Sequence, residues 1–106
     1  MYPATISIRT LPPRAFIRMR GAVDISVVTD LRAAVRGAVD GGCRHVDLDL
    51  TDVSFMDCAG VNALLWCRAH AAGSGGRVTI AHVSRSVDRI LSLTGQDHEL
   101  LDSTVA

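Results

Sequence analysis

Apolar residues recur along this chain with two different periods, and the switches between them divide it into strands and helices. From Thr5 to Arg9, Ile6 and Ile8 alternate with polar neighbours, the two-residue period of a half-buried strand. Leu11-Pro12-Pro13-Arg14 marks a turn, because two prolines cannot sit inside a hydrogen-bonded ladder. Phe16, Ile17 and Met19, with Arg18 and Arg20 between, predict a second strand that stops at Gly21. The two strands make an antiparallel hairpin, with the first at the sheet edge. Val28, Leu31, Val35 and Val39 then recur at three- and four-residue spacing, an amphipathic helix to about Asp40. Asp24 or Ser26 offers the side-chain oxygen that caps its start, and Gly41-Gly42 ends it. Val46, Leu48 and Leu50 alternate with Asp47 and Asp49 in a third strand. Val61, Leu64, Leu65 and Arg68 share the face of a second helix that runs to Ala72, and Gly73-Ser74-Gly75-Gly76 turns the chain. Arg77 to His82 reads as a fourth strand, with Val78, Ile80 and, as a further candidate, Ala81 facing inward. Ser84 caps a third helix through Val87, Ile90, Leu91 and Leu93, which Gly95 ends. Leu100, Leu101 and Val105 suffice for one short strand in the tail.

The order β-β-α-β-α-β-α-(β) predicts an α/β fold: a mixed four- to five-stranded sheet with right-handed crossovers and helices packed against it. At 106 residues there is room for one core, so residues 1–106 are expected to be a single domain. With 48% apolar residues but only 4% aromatics, that core must be Val, Leu, Ile and Ala. Eleven basic residues, all Arg, balance eleven acidic ones, so no net field draws nucleic acid or an anionic membrane. The first ten residues lack the basic and apolar regions of a signal peptide, and no apolar run approaches the ~20 residues of a membrane span. A cytoplasmic location is expected.

Candidate chemistry is sparse. Cys43, Cys58 and Cys67 show no CxxC spacing and no clustered His, which argues against a zinc site or a disulfide scaffold. His45, His70, His82 and His98 are scattered over different elements. The GSGG at Gly73–Gly76 lacks the Lys and Ser/Thr of a phosphate-binding loop and follows a helix instead of preceding one. No Ser sits on a nucleophile elbow. The expectation is a protein without catalytic residues, cofactor or metal.

The most informative stretch is Leu50 to Asn62, LTDVSFMDCAGVN. It reads as a strand ending, a short loop, and a helix start centred on Asp57-Cys58-Ala59-Gly60. A loop at the top of a strand is where an α/β domain presents its working surface. Asp57 either caps the helix or meets a partner, and Asp24 offers the same pair of roles at the first helix. Gly60 permits close approach to the preceding segment, and Asn62 stands on the first turn. Cys58 and Cys67 lie nine residues apart on one helix, about 13 Å by its rise, too far to bridge.

Several segments resemble, in register, the STAS domain of the anti-sigma factor antagonist type. They are Gly21-Ala22-Val23-Asp24, Val46–Leu50, Asp52–Asp57 with Gly60, Arg77–Ile80, Val83-Ser84 and Val87–Gly95, together spanning roughly Ile6 to Leu101. The resemblance implies a non-enzymatic regulator that binds an anti-sigma factor of the serine-kinase type and frees a sigma factor for transcription. It implies partner contacts from Asp24, Asp57, Cys58, Ala59, Gly60 and Asn62. In the family the residue after the Asp is usually a Ser whose phosphorylation breaks the complex. Here Cys58 holds that place and Ala59 follows, and neither takes a phosphate from a Ser/Thr kinase. Three readings of Cys58 stand open: an antagonist without a phosphate switch, a thiol redox sensor, or a STAS subunit of a transport or lipid-trafficking complex. Family members usually carry one more helix after the last strand. In this chain its cover could come from a second copy, as a homodimer.

Overall fold

A computed structural model of the chain describes residues 4–95; the short strand expected around Leu100, Leu101 and Val105 lies outside them. Strands β1 (Thr5–Leu11) and β2 (Arg14–Val23) form the expected hairpin around Pro12-Pro13, with every residue of β1 paired antiparallel to β2. Helix α1 (Ile25–Asp40) crosses to β3 (His45–Met56), and α2 (Cys58–Gly73) crosses to β4 (Arg77–Val83), which α3 (Arg85–Thr94) follows. The sheet order is β1-β2-β3-β4, with β2, β3 and β4 parallel, so the hairpin makes the sheet mixed and puts β1 at its edge.

The helices cover one face of the sheet. Ala15, Ile17 and Met19 of β2, Val46, Leu48 and Leu50 of β3, and Val78 and Ile80 of β4 point into that side and are buried. Leu31 and Val35 of α1, Leu64 and Cys67 of α2, and Val87 and Leu91 of α3 close over them. The opposite face is bare, lined by Arg and Asp side chains. There Arg14 pairs with Asp47 at 3.3 Å, and Arg18 and Arg20 share Asp52.

Three expectations need correction, and the exposure of Phe16 is a further finding. The second strand does not stop at Gly21 but runs to Val23. Gly21 takes a φ of 87°, a left-handed value that glycine adopts without strain, and the ladder shifts register there. The third strand does not end near Leu50 but continues to Met56, because the prolonged β2 supplies partners: Arg20 for Asp52, Gly21 for Val53, Ala22 for Phe55 and Val23 for Met56. The expected loop is therefore a single residue, Asp57. Phe16 is 41% exposed, since the period of the strand gives the inner face to Ala15 and Ile17. Ala81 is exposed, and the β3–β4 pairing passes over it, from Leu48–Ile80 to Asp49–His82.

Candidate protein-binding site

The last residue pair of the parallel β2–β3 ladder is Val23 with Met56. Asp24 and Asp57 are the next residues on each strand, so two carboxylates leave the sheet side by side at one edge. Each caps the helix that follows, and with almost the same backbone: φ −114°, ψ −173° at Asp24 and φ −110°, ψ −170° at Asp57. Asp24 Oδ1 accepts from the backbone N–H of Ser26 at 3.0 Å and Val27 at 3.4 Å, and from the Ser26 hydroxyl at 2.6 Å. The cap is thus Asp24, and Ser26 serves it as a donor. Asp57 Oδ1 accepts from Ala59 N–H at 3.0 Å and Gly60 N–H at 3.3 Å. A carboxylate at a helix N-terminus meets free N–H groups and the positive end of the helix dipole together. The Ser26 hydroxyl first, then the backbone N–H of Ser26 and Val27, hold the Asp24 carboxyl below its usual range.

The helix start between these caps and the core is layered. Cys58, the first residue of α2, is exposed, as is Asn62 one turn later, while Cys43 and Cys67 are buried. Ala59 is half-buried and packs on the core. Gly60 is buried against the end of β3: a Cβ there would lie 2.4 Å from Met56 Cγ. Asp24, Cys58 and Asn62 are thus exposed and Asp57 half-buried, and Gly60 sets how closely α2 approaches the strand.

Two apolar side chains that sequence reasoning passed over stand at the same end of the sheet. Ile25, next to the Asp24 cap, is 75% exposed, and Phe55, paired with Ala22, is 54% exposed. Their signal was phase: Ile25 is off the Val28–Leu31–Val35 stripe, and Phe55 lies between the buried Val53 and Met56. Apolar surface beside two helix N-termini is the composition of a docking patch, a buried anchor with polar surroundings. A shallow depression elsewhere, on the bare face of the sheet, is lined by Arg9, Phe16, Arg18, Asp49 and His82 among others. There the Thr51 hydroxyl and N–H hold the Asp49 carboxyl below its usual range, with Arg18 and His82 adding to the effect. Among the described residues, no group of His, Cys, Asp and Glu is placed to hold a metal ion, and no helix is long and apolar enough to cross a membrane.

The family model described as "Mlab, STAS domain" matches residues 6–102. The chain belongs to the STAS domain family. Over 78 residues, 74% of its length, this STAS domain is 28% identical to a STAS-domain containing protein of Pseudomonas aeruginosa (strain UCBPP-PA14), covering 76% of that protein. Among solved structures it is similar to the anti-sigma factor antagonist SpoIIAA in its unphosphorylated form. The TM-score is 0.79 at 21% identity, over 92% of this chain and 86% of that one. It is also similar to an anti-sigma factor antagonist from Mycobacterium paratuberculosis, with a TM-score of 0.78 at 18% identity, over 97% and 92% of the two chains. At such identities the likeness establishes the STAS fold, with its mixed sheet and its β-β-α-β-α-β-α order.

Proposed function

We propose that this STAS domain is an anti-sigma factor antagonist that acts by binding and not by catalysis. The observation that carries the reading is the side-by-side emergence of Asp24 and Asp57 from β2 and β3, with Cys58, Ile25 and Phe55 exposed around them. The partner is an anti-sigma factor of the serine-kinase type, met in the cytoplasm. Ile25 and Phe55 supply apolar anchors, and Asp24, Asp57, Cys58 and Asn62 the polar contacts. Interfaces of this kind bury about 1,600 Å² in all, an area a domain of this size can offer. Occupying the anti-sigma factor releases the sigma factor for transcription.

The same geometry bears on control. A phosphate at the start of α2 would add about −1.5 to −2 charges beside two carboxylates, enough to drive a partner off by repulsion and desolvation. Cys58 has no hydroxyl to accept it. The complex is therefore stable to ATP. A second reading rests on one observation: Cys58 is the exposed thiol, while Cys43 and Cys67 are buried. Its oxidation, with a peroxide as oxidant, would change the same surface.

The test is a pull-down with the purified protein from its own cell lysate, with and without reductant, bound proteins being identified by mass. Equal recovery of a kinase-like anti-sigma factor in both conditions, lost with an Asp24→Arg variant, is expected. Recovery in one condition alone makes Cys58 the switch. Recovery of transport-complex subunits instead overturns the proposal. Adding ATP to the recovered complex should neither dissociate it nor label the domain. Stoichiometric phosphate on Ser54 or Thr51 would overturn the claim that phosphate control is absent.

A further inference from the structure

Away from the capped helix starts, the outer junction of α1 and α2 gathers four side chains whose arrangement the partner reading does not use. Arg32 and Arg36 stand one turn apart on α1, and Trp66 and His70 one turn apart on α2, the spacing that brings side chains together on a helix face. The His70 ring lies nearly parallel to the Trp66 indole, at 8° and 4.7 Å between centroids. The Arg32 guanidinium carbon is 5.7 Å from the indole centre and that of Arg36 is 5.5 Å. Two permanent cations and an imidazole thus share a single ring.

Among the described residues this cluster has no carboxylate in ion-pair range. Carboxylates stand within ion-pair range of Arg14, Arg18 and Arg20, on the bare face of the sheet. Neither Arg32 nor Arg36 has such a partner among the described residues. Arg32 Nε and His70 Nε2 are also shut off from solvent with no hydrogen-bond partner. Unpaired buried polar atoms are uncommon in folded proteins and call for a missing acceptor or donor. Cation–π attraction explains why the guanidiniums lie at the ring. It does not satisfy the buried Arg32 Nε–H, which still lacks an acceptor.

We propose that Arg32, Arg36 and His70, gathered around Trp66, form a binding site for a phosphate group. A carboxylate fills one guanidinium fork. A dianionic phosphate has enough oxygens to take both forks and an imidazole N–H at once, and the planar donor geometry of Arg suits it. The phosphate can be the free ion or the head of a small phosphate ester. Trp66 lies eight residues beyond Cys58 on α2, about 12 Å along the axis. The site is thus separate from the capped edge, and it stands whether or not the antagonist reading holds.

Trp66 is the single tryptophan of the chain, so its emission reports on the cluster directly. Inorganic phosphate and free phosphoserine would be titrated into the purified full chain, with ionic strength held constant by sodium chloride. A saturable change in emission is expected with phosphate or with the ester. Response to both assigns the site to the phosphate group itself, and response to only one identifies which form it takes. Arg36→Gln changes an exposed side chain and should fold normally, with apparent affinity weakened about tenfold or more. Arg32→Gln should weaken it likewise. An emission change that sodium chloride reproduces overturns the site. So does an affinity unchanged in both variants, even where melting shows that they loosen the α1–α2 contact.

Discussion

At Gly60 two opposing effects of one methyl group can be ranked. Glycine inside a helix costs roughly 1 kcal/mol relative to alanine, so Gly→Ala in open space stabilises. Gly37, on α1, is such a place, since a Cβ there meets nothing within 4 Å. Gly37→Ala should raise stability by about 0.5–1 kcal/mol. At Gly60 the same methyl would sit 2.4 Å from Cγ of Met56, itself buried, and would push it into a packed core. Overpacking of that kind costs ~1–3 kcal/mol and outweighs the propensity gain, so Gly60→Ala should destabilise. Urea unfolding of the two variants checks both signs; a stable Gly60→Ala would mean that α2 is not held against the end of β3. The thiols separate in a similar way. Burial pushes the Cys67 thiol up to about 12, the nearby Arg32 offsetting little of it, so it stays protonated near neutrality. Brief alkylation of the folded protein at pH 8 should modify Cys58 and spare Cys43 and Cys67, which mass mapping would show. An adduct on Cys67 in the folded state would contradict the burial.

Elements differ in how openly the sequence declares them. Helix starts were legible because capping is local: Asp24, Asp57 and Ser84 each bond N–H groups two or three residues on. Chain order and the hairpin were legible for the same reason, through the spacing of apolar residues and the Pro12-Pro13 turn. The full length of β3 was not. Its buried residues beyond Leu50 are Val53 and Met56, three apart, because the ladder with β2 shifts register and breaks the two-residue period. On β2 small Ala15, not the larger Phe16, meets the helices. The heart of the candidate site, the pairing of Val23 with Met56, has no local signature at all, since parallel register is set by residues far apart in the chain. The one-sided cover of the sheet yields a prediction at this scale. Leu48, fully buried on a central strand, should cost about 2–5 kcal/mol when cut to alanine. Ile8, on the edge strand and 51% exposed, should cost about 1 kcal/mol or less. Equal costs in urea unfolding would mean that a second layer covers β1.

For the molecule as a whole, the charge balance of eleven against eleven holds only while the carboxylates are ionised, because the eleven basic residues are arginines that never discharge. Asp24 and Asp49 tie this balance to folding. Both carboxyls lie below their ordinary value of 3.8 in the folded protein, Asp24 chiefly through the Ser26 hydroxyl and Asp49 chiefly through that of Thr51. The folded state then binds fewer protons than the unfolded chain between the lowered values and 3.8, so stability rises with pH across that interval. Their contribution is complete above the unfolded value and is lost as pH falls through the folded ones. Urea midpoints should therefore be insensitive to these two groups from pH 6 to 8 and should fall once the pH drops below 3.8. Asp49→Asn keeps an oxygen that can accept from Thr51 but removes the titration, so the variant should lose less stability than the parent on acidification. Equal acid slopes for parent and variant would show that Asp49 is not linked to folding, and that general repulsion among the arginines carries the whole acid response.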